Sequence, residues 1–241
     1  MRRILAIGGG SFLMEDSPSP VDQLILGLTA KPKPRVCFIG TPSGDLPEHI
    51  ERFDRAFLSE VCEPTQLAFF RKPGPRSIPL ADIESHILQQ DVLYVGGGNT
   101  KSALGVWREW GLDQTLVRAY QAGVLLCGMS AGAMCWFEAG ITDSFWGGGY
   151  RPLPCLGLLP GGCAVHYNSD PQRRPRLHAA LEAGAIPPTI AIDDMSAVLY
   201  EDGRLSRVYK WGTGQGAYSV VAGATGVIET PLDTETLRVE A

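Results

Sequence analysis

A serine, a histidine and several carboxylates are spaced along this chain in a way that permits acyl transfer. Ser130 lies in Gly128-Met129-Ser130-Ala131-Gly132, directly after the apolar run Gly123-Val124-Leu125-Leu126-Cys127. Gly-x-Ser-x-Gly between a buried strand and a helix start is the pattern of a nucleophile elbow, where a sharp turn lifts the hydroxyl above the sheet. The same residues also fit an ordinary turn rich in glycine and serine. His166 closes the short apolar run Cys163-Ala164-Val165 and so stands at a strand end. Taken singly it reads equally as a structural histidine; beside an exposed serine it is the leading general base. His49 and His86 fall on surface helices and His178 in another helix. Asp193 and Asp194 end the apolar segment Thr189-Ile190-Ala191-Ile192. They are either turn formers or the source of a third group, which holds the imidazole in one tautomer and stabilises its charged form.

Glycines and arginines add to this set. Gly96-Gly97-Gly98-Asn99-Thr100 follows the strand Asp91–Val95. Three adjacent glycines leave main-chain N–H groups open, which makes the turn either a tight strand–helix connection or a cradle for an anion or oxyanion. Gly8-Gly9-Gly10-Ser11 follows the strand Arg3–Ile7, but a dinucleotide fingerprint would also need glycine where Leu13 stands. These glycines suggest close backbone approach at a strand's carboxyl end, where open α/β sheets place ligands. Arg173, Arg174 and Arg176 come shortly after His166. They form a solvated turn or receive a substrate carboxylate, which guanidinium pairs bidentately.

The elements that must position these groups alternate. Strands are expected at Arg3–Ile7, Arg35–Ile39, Thr65–Phe70, Asp91–Val95, Gly123–Cys127 and Thr189–Asp194. Helices are expected at Val21–Leu28, Pro47–Cys62, Leu80–Gln90, Ser102–Trp110, Leu112–Ala122 and Arg176–Ala183. Strand, glycine turn and helix in repeated order imply an α/β fold with a mostly parallel sheet covered by helices on both faces. The tail, through Ala197–Tyr200, Leu205–Trp211 and Ala217–Val221, reads as antiparallel edge strands. Phe145 to Pro154 has no periodicity and is expected to be a loop acting as a lid or pocket wall. With no linker, repeat or low-complexity block, residues 1–241 are expected to form one domain.

Composition bounds the partners. The chain has 241 residues, 44% of them hydrophobic, and a net charge of −5. With no basic run, neither nucleic acid nor an anionic membrane is an expected partner. The apolar stretch near the start is too short for a signal peptide or a membrane span. Six scattered cysteines, without C-x-x-C, read as reduced core thiols of a cytoplasmic protein, and no cofactor or metal is expected. Oligomeric state is left open.

Tyr94-Val95-Gly96-Gly97-Gly98-Asn99-Thr100, Gly128-Met129-Ser130-Ala131-Gly132-Ala133, His166-Tyr167-Asn168 and Ile192-Asp193-Asp194 together resemble the peptidase E (aspartyl dipeptidase) family. These serine peptidases are related to cyanophycinase and built on a class I glutamine-amidotransferase-like sheet. The resemblance, over about residues 1 to 200, implies Ser130 as nucleophile, His166 as base and an acyl-enzyme mechanism on a small peptide. It implies Asp194 as the acid, where the family carries glutamate, and leaves Asp143 as a competing carboxylate. Arg173 matches an arginine that binds the substrate's aspartyl carboxylate. Gly98 and Ala131 are the expected oxyanion donors, with Gly97, Asn99 and Thr100 on the substrate side. A cyanophycinase-like or other small-substrate hydrolase and a non-catalytic binding module are the rival readings. A cysteine-based amidotransferase is disfavoured by the serine at the elbow.

Overall fold

The computed structural model describes residues 1–15 and 19–238. The chain begins with β1 (Arg3–Gly9), α1 (Pro20–Leu28), β2 (Arg35–Ile39), α2 (Pro47–Ala56), β3 (Glu63–Leu67), α3 (Ile83–Leu88) and β4 (Val92–Val95). It passes through α4 (Thr100–Glu109), α5 (Leu112–Ala122), β5 (Leu125–Met129), α6 (Ala131–Met134), β6 (Phe137–Thr142), β7 (Arg151–Pro154) and β8 (Leu159–Ala164). It closes with α7 (Arg173–Glu182), β9 (Thr189–Ile192), β10 (Ser196–Glu201), β11 (Arg204–Lys210), β12 (Ala217–Gly223), β13 (Gly226–Pro231) and β14 (Glu235–Thr236).

The strands fall into two sheets. The larger has the order β14-β11-β10-β1-β5-β4-β2-β3, with β1, β5, β4, β2 and β3 parallel and β10 and β11 antiparallel at one side. The smaller has the order β13-β12-β9-β8-β6-β7, with β6, β8 and β9 parallel. The central strands are buried on both faces, so they read as continuous apolar runs. In β1, Leu5 and Ile7 face Val21 and Ile25 of α1 and Phe53 of α2. Ile4 and Ala6 face the other way, toward Leu104, Trp107, Leu112 and Leu116 and the inner residues Leu159, Cys163, Ile190 and Ile192 of the second sheet. Helices therefore cover one face of the larger sheet, and helices plus the smaller sheet cover the other. The sequence pattern does not reveal this division, because a run buried on both faces carries no signal for which sheet its neighbour joins.

Phe12 anchors the segment after β1. Its ring meets Phe38, Phe53 and Phe57 edge-on at 5.6–5.8 Å. Each such pair contributes about 0.5–1.5 kcal/mol beyond area burial, which pins the glycines before Phe12 against the sheet.

Several expected boundaries move, for local reasons. α2 ends at Ala56 rather than Cys62, because Phe57 leaves the helical region at φ −108°, ψ 75°. β3 ends at Leu67 rather than Phe70: the Asp45 carboxylate accepts from the N–H groups of Phe69 and Phe70 (2.6 and 2.7 Å) and draws them off the sheet. The expected loop Phe145–Pro154 is shorter, since Arg151–Pro154 forms β7. Two prolines in four residues suit that strand to the sheet edge it occupies. No described helix is long and apolar enough to cross a membrane, and no described trio of His, Cys, Asp or Glu is arranged to hold a metal.

Asp22 on α1 is 4% exposed. Burial pushes its carboxyl well above the usual range, with the Phe12 N–H opposing and Glu15 reinforcing the shift. The folded chain thus keeps a proton that the unfolded chain gives up. The resulting stability is complete below the unfolded carboxylate range and declines as pH rises through the raised value. Asp22→Asn is expected to remove this decline. From about pH 4 to about pH 8 its Tm should gain on wild type by a few degrees, at about 2–4 °C per kcal/mol; a pH-independent difference would refute the assignment.

Candidate active site

Ser130 joins β5 to α6 at φ 58°, ψ −111°. A non-glycine residue in such a sparsely populated region costs about 1–3 kcal/mol and persists only where its surroundings hold it. Here the Ser130 N–H donates to the Ile7 carbonyl (3.0 Å), and the Ser130 carbonyl accepts from Ala133 and Met134 (3.0 Å each). The flanking glycines provide room: a Cβ would lie 2.5 Å from the Val95 carbonyl oxygen at Gly128 and 2.1 Å from it at Gly132. The elbow thus lies tightly against β4, with Ser130 partly exposed at the carboxyl end of β5.

His166 follows β8 and Asp194 follows β9, adjacent parallel strands of the second sheet. His166 Nε2 is 2.9 Å from Ser130 Oγ, and Nδ1 is 2.6 Å from Asp194 Oδ1. Burial pushes the Asp194 carboxyl up, but hydrogen bonds from His166 and Ser169 and the charges of His166 and Arg173 outweigh it and hold the group below its ordinary value. An ionised carboxylate only accepts, so Nδ1 carries the proton and Nε2 of the neutral ring is left to accept from the serine hydroxyl. The arrangement is that of a hydroxyl, a base and an orienting acid in line. Asn168, which the sequence reading gave no role, accepts from the Asp194 N–H at 2.9 Å. Its place two residues after His166 was the only signal.

The turn after β4 faces the same serine. A Cβ on Gly97 would lie 3.4 Å from Ser130 Cβ. Gly98 has φ +138°, and a Cβ there would strike the Pro42 carbonyl oxygen at 2.1 Å. The N–H groups of Gly97 and Gly98 make no hydrogen bond among the described residues, and the first N–H of α6, that of Ala131, has no partner within its helix. Asn99 and Thr100, expected on the substrate side, begin α4; Asn99 is exposed beside the glycine turn and Thr100 is buried. The Asn99 carboxamide oxygen caps α4 by accepting from the Ser102 N–H (2.8 Å), since a helix start needs such an acceptor. Thr100 is 1% exposed, and its N–H donates to Ser144 Oγ at 3.0 Å. Burial leaves the Thr100 side chain out of reach of solvent in this structure.

Of the two carboxylates, Asp194 occupies His166 Nδ1, while Asp143 lies exposed just beyond β6. Arg173, the first residue of α7, is 5% exposed. It donates from Nη1 to the Ile141 carbonyl (2.7 Å), has Nη2 3.8 Å from Asp170, and stacks its guanidinium over the Tyr150 ring at 4.3 Å. The Tyr150 hydroxyl donates to Asp170.

The sequence profile of Peptidase family S51 matches residues 4–208. The chain belongs to peptidase family S51. It is a serine-type peptidase. The Bacillus subtilis (strain 168) protein called "Uncharacterized peptidase YgaJ" is 38% identical over 237 residues, 98% of this chain and 100% of that one. Two solved structures share the fold. A candidate peptidase E from Listeria monocytogenes EGD-e superposes with TM-score 0.62 at 19% identity, covering 86% of this chain and 97% of that one. A peptidase from an acI-B1 Actinobacterium gives TM-score 0.62 at 17% identity, covering 95% and 97%. The α/β architecture of this S51 peptidase, with antiparallel strands toward the C-terminus, is therefore shared with peptidase E-type structures.

If the Gly96–Gly98 turn stabilises an oxyanion, Gly98→Val, which keeps its N–H but cannot hold it in place against the Pro42 carbonyl, should cut kcat for peptide hydrolysis by about 100-fold or more, as when one donor is lost. Circular dichroism should still show cooperative unfolding. Unchanged turnover in a folded variant would remove the turn from the mechanism.

Proposed function

We propose that this S51 peptidase is an aspartyl dipeptidase, cleaving dipeptides with N-terminal aspartate through an acyl-enzyme on Ser130. The observation that carries the reading is the continuous relay from Ser130 Oγ to His166 (2.9 Å) to Asp194 (2.6 Å). As Ser130 Oγ attacks the peptide carbonyl, His166 Nε2 takes its proton, and the Asp194 carboxylate balances the imidazolium. The carbonyl oxygen, now an oxyanion, is met by the N–H groups of Gly98 and Ala131. His166 returns the proton to the leaving amine, and the ester then loses the acyl group to water by the same steps in reverse order.

Arg173 is the candidate receptor for the aspartyl side chain. Its Nε is buried with no hydrogen-bond partner among the described residues, and Nη2 reaches Asp170 only at 3.8 Å. That edge of the guanidinium is the one left to pair a carboxylate. A second reading, hydrolysis of a β-aspartyl peptide or another small substrate, is favoured by the burial of Arg173 beneath Tyr150, which restricts room for a free side chain. A cytoplasmic location belongs to the proposal and is supported by six unpaired cysteines, five of them buried.

A fluorophosphonate should label the wild type and leave Ser130→Ala unlabelled; equal labelling of both would end the serine assignment. Steady-state kinetics on a panel of Asp-X dipeptides beside β-Asp-Arg decides the substrate. The proposal expects kcat/KM for Asp-X to be the higher, and Arg173→Ala to lower it mainly through KM.

A further inference from the structure

The glycines at the carboxyl end of β1 take no part in the reaction as described, and the geometry points to a role for one of them. We infer that Gly9 is a positioning residue: the space left by its missing side chain sets the Asp194 carboxylate against His166, and it is what fits an aspartate, rather than a longer acid, to this site. The inference rests on the Ser130–His166–Asp194 reading above.

Gly9 is the last residue of β1, where the pairing with β10 shifts register between Ile7 and Gly9. The shift places Gly9 beside Asp194 in a parallel bridge, and the Gly9 carbonyl accepts from the Met195 N–H at 2.8 Å. On the other side of Asp194, its own N–H is held by Asn168 Oδ1 at 2.9 Å. The Asp194 backbone is thus gripped from both sides. A Cβ built on Gly9 would lie 1.9 Å from Asp194 Oδ1, 2.8 Å from Asp194 Cγ and 2.9 Å from His166 Nδ1. The two atoms of the 2.6 Å hydrogen bond therefore rest on the bare face of Gly9, in the volume any other residue would fill.

The imidazole has little freedom to retreat. The next residue, Tyr167, is tied to β9 through its N–H to the Ile192 carbonyl (3.2 Å), and Nε2 is engaged with Ser130. A methyl at position 9, or an extra methylene at position 194, must therefore lengthen or tilt the acid–histidine contact. Loss of that contact costs turnover rather than binding, because the acid acts on the charge that develops on His166 in the transition state.

The test compares wild type with Asp194→Asn, Gly9→Ala, the double variant and Asp194→Glu. It measures kcat and KM on one dipeptide, thermal unfolding, and the downfield proton resonance of the His166 Nδ1–H. Asp194→Asn and Gly9→Ala are each expected to lower kcat by about 100-fold or more with KM within about twofold. The double variant should fall no more than about threefold below the worse single one, since both act on one interaction. Gly9→Ala should also lose or shift the downfield resonance, which a merely structural change would not move. Asp194→Glu, at a side chain 20% exposed, should fold and still lose at least about tenfold in kcat.

Gly9→Ala with near wild-type kcat, multiplicative losses in the double variant, or Asp194→Glu at wild-type kcat would each overturn the inference. If Gly9→Ala does not fold, Asp194→Glu decides. A fully active Asp194→Asn would overturn the acid assignment itself, an outcome distinct from one in which Asp194→Asn is impaired and Gly9→Ala is not.

Discussion

The strained backbone of Ser130 is the constraint on which the site depends. A residue at φ 58° cannot hold itself there, and its hydrogen bonds run to β1 through Ile7 and into α6 through Ala133 and Met134. Those bonds require β5 to lie between β1 and β4, as it does in the larger sheet. They also require glycine on both sides of the turn, because β4 leaves no space for a side chain at 128 or 132. The order of strands, the glycine pattern and the raised hydroxyl are thus one structural solution. Strain at Ser130 is offset by packing spread over three strands and a helix.

The second sheet completes the site. His166 and Asp194 follow neighbouring strands, so their separation follows from the ladder between β8 and β9. Consecutive aspartates there have opposite fates. Burial pushes Asp193 up to about 6, against a hydrogen bond from Tyr218 and the nearby charge of Arg174. Asp194 faces the other way, where the hydrogen bond from His166 and the charges of His166 and Arg173 hold its carboxyl below the ordinary value. Environment separates the pair into one carboxylate fit to balance an imidazolium and one that is not. Behind them, Tyr167, His178 and Arg174 converge on Glu229 and close the α7 side of the second sheet.

The segment between β6 and β7 reaches both the Gly96–Gly98 turn and Arg173. Ser144 binds the Thr100 N–H beside the glycine turn, and Tyr150 covers Arg173. Between them Trp146 stands 99% exposed, followed by three glycines with positive φ. The contact beside the Gly96–Gly98 turn and the cover over Arg173 therefore come from one short segment.

Local chemistry is legible in the sequence itself. Gly-x-Ser-x-Gly after an apolar run specifies a turn that few other residues allow, and an imidazole ending a strand stands where sheets of this type bind ligands. Most helices and parallel strands were legible too, from apolar spacing and the glycines and prolines that end it. The sequence did not choose between Asp194 and Asp143, because two carboxylates near strand ends look alike until register brings one of them to His166. Nor did it show that Asn99 and Thr100 serve the start of α4, that Arg173 is buried, or that the strands divide into two sheets. Those outcomes turn on contacts between residues far apart in the chain, whose geometry no local pattern records. Composition and spacing determined which groups were available for acyl transfer, and only the packing of one sheet on the other decided which of them meet.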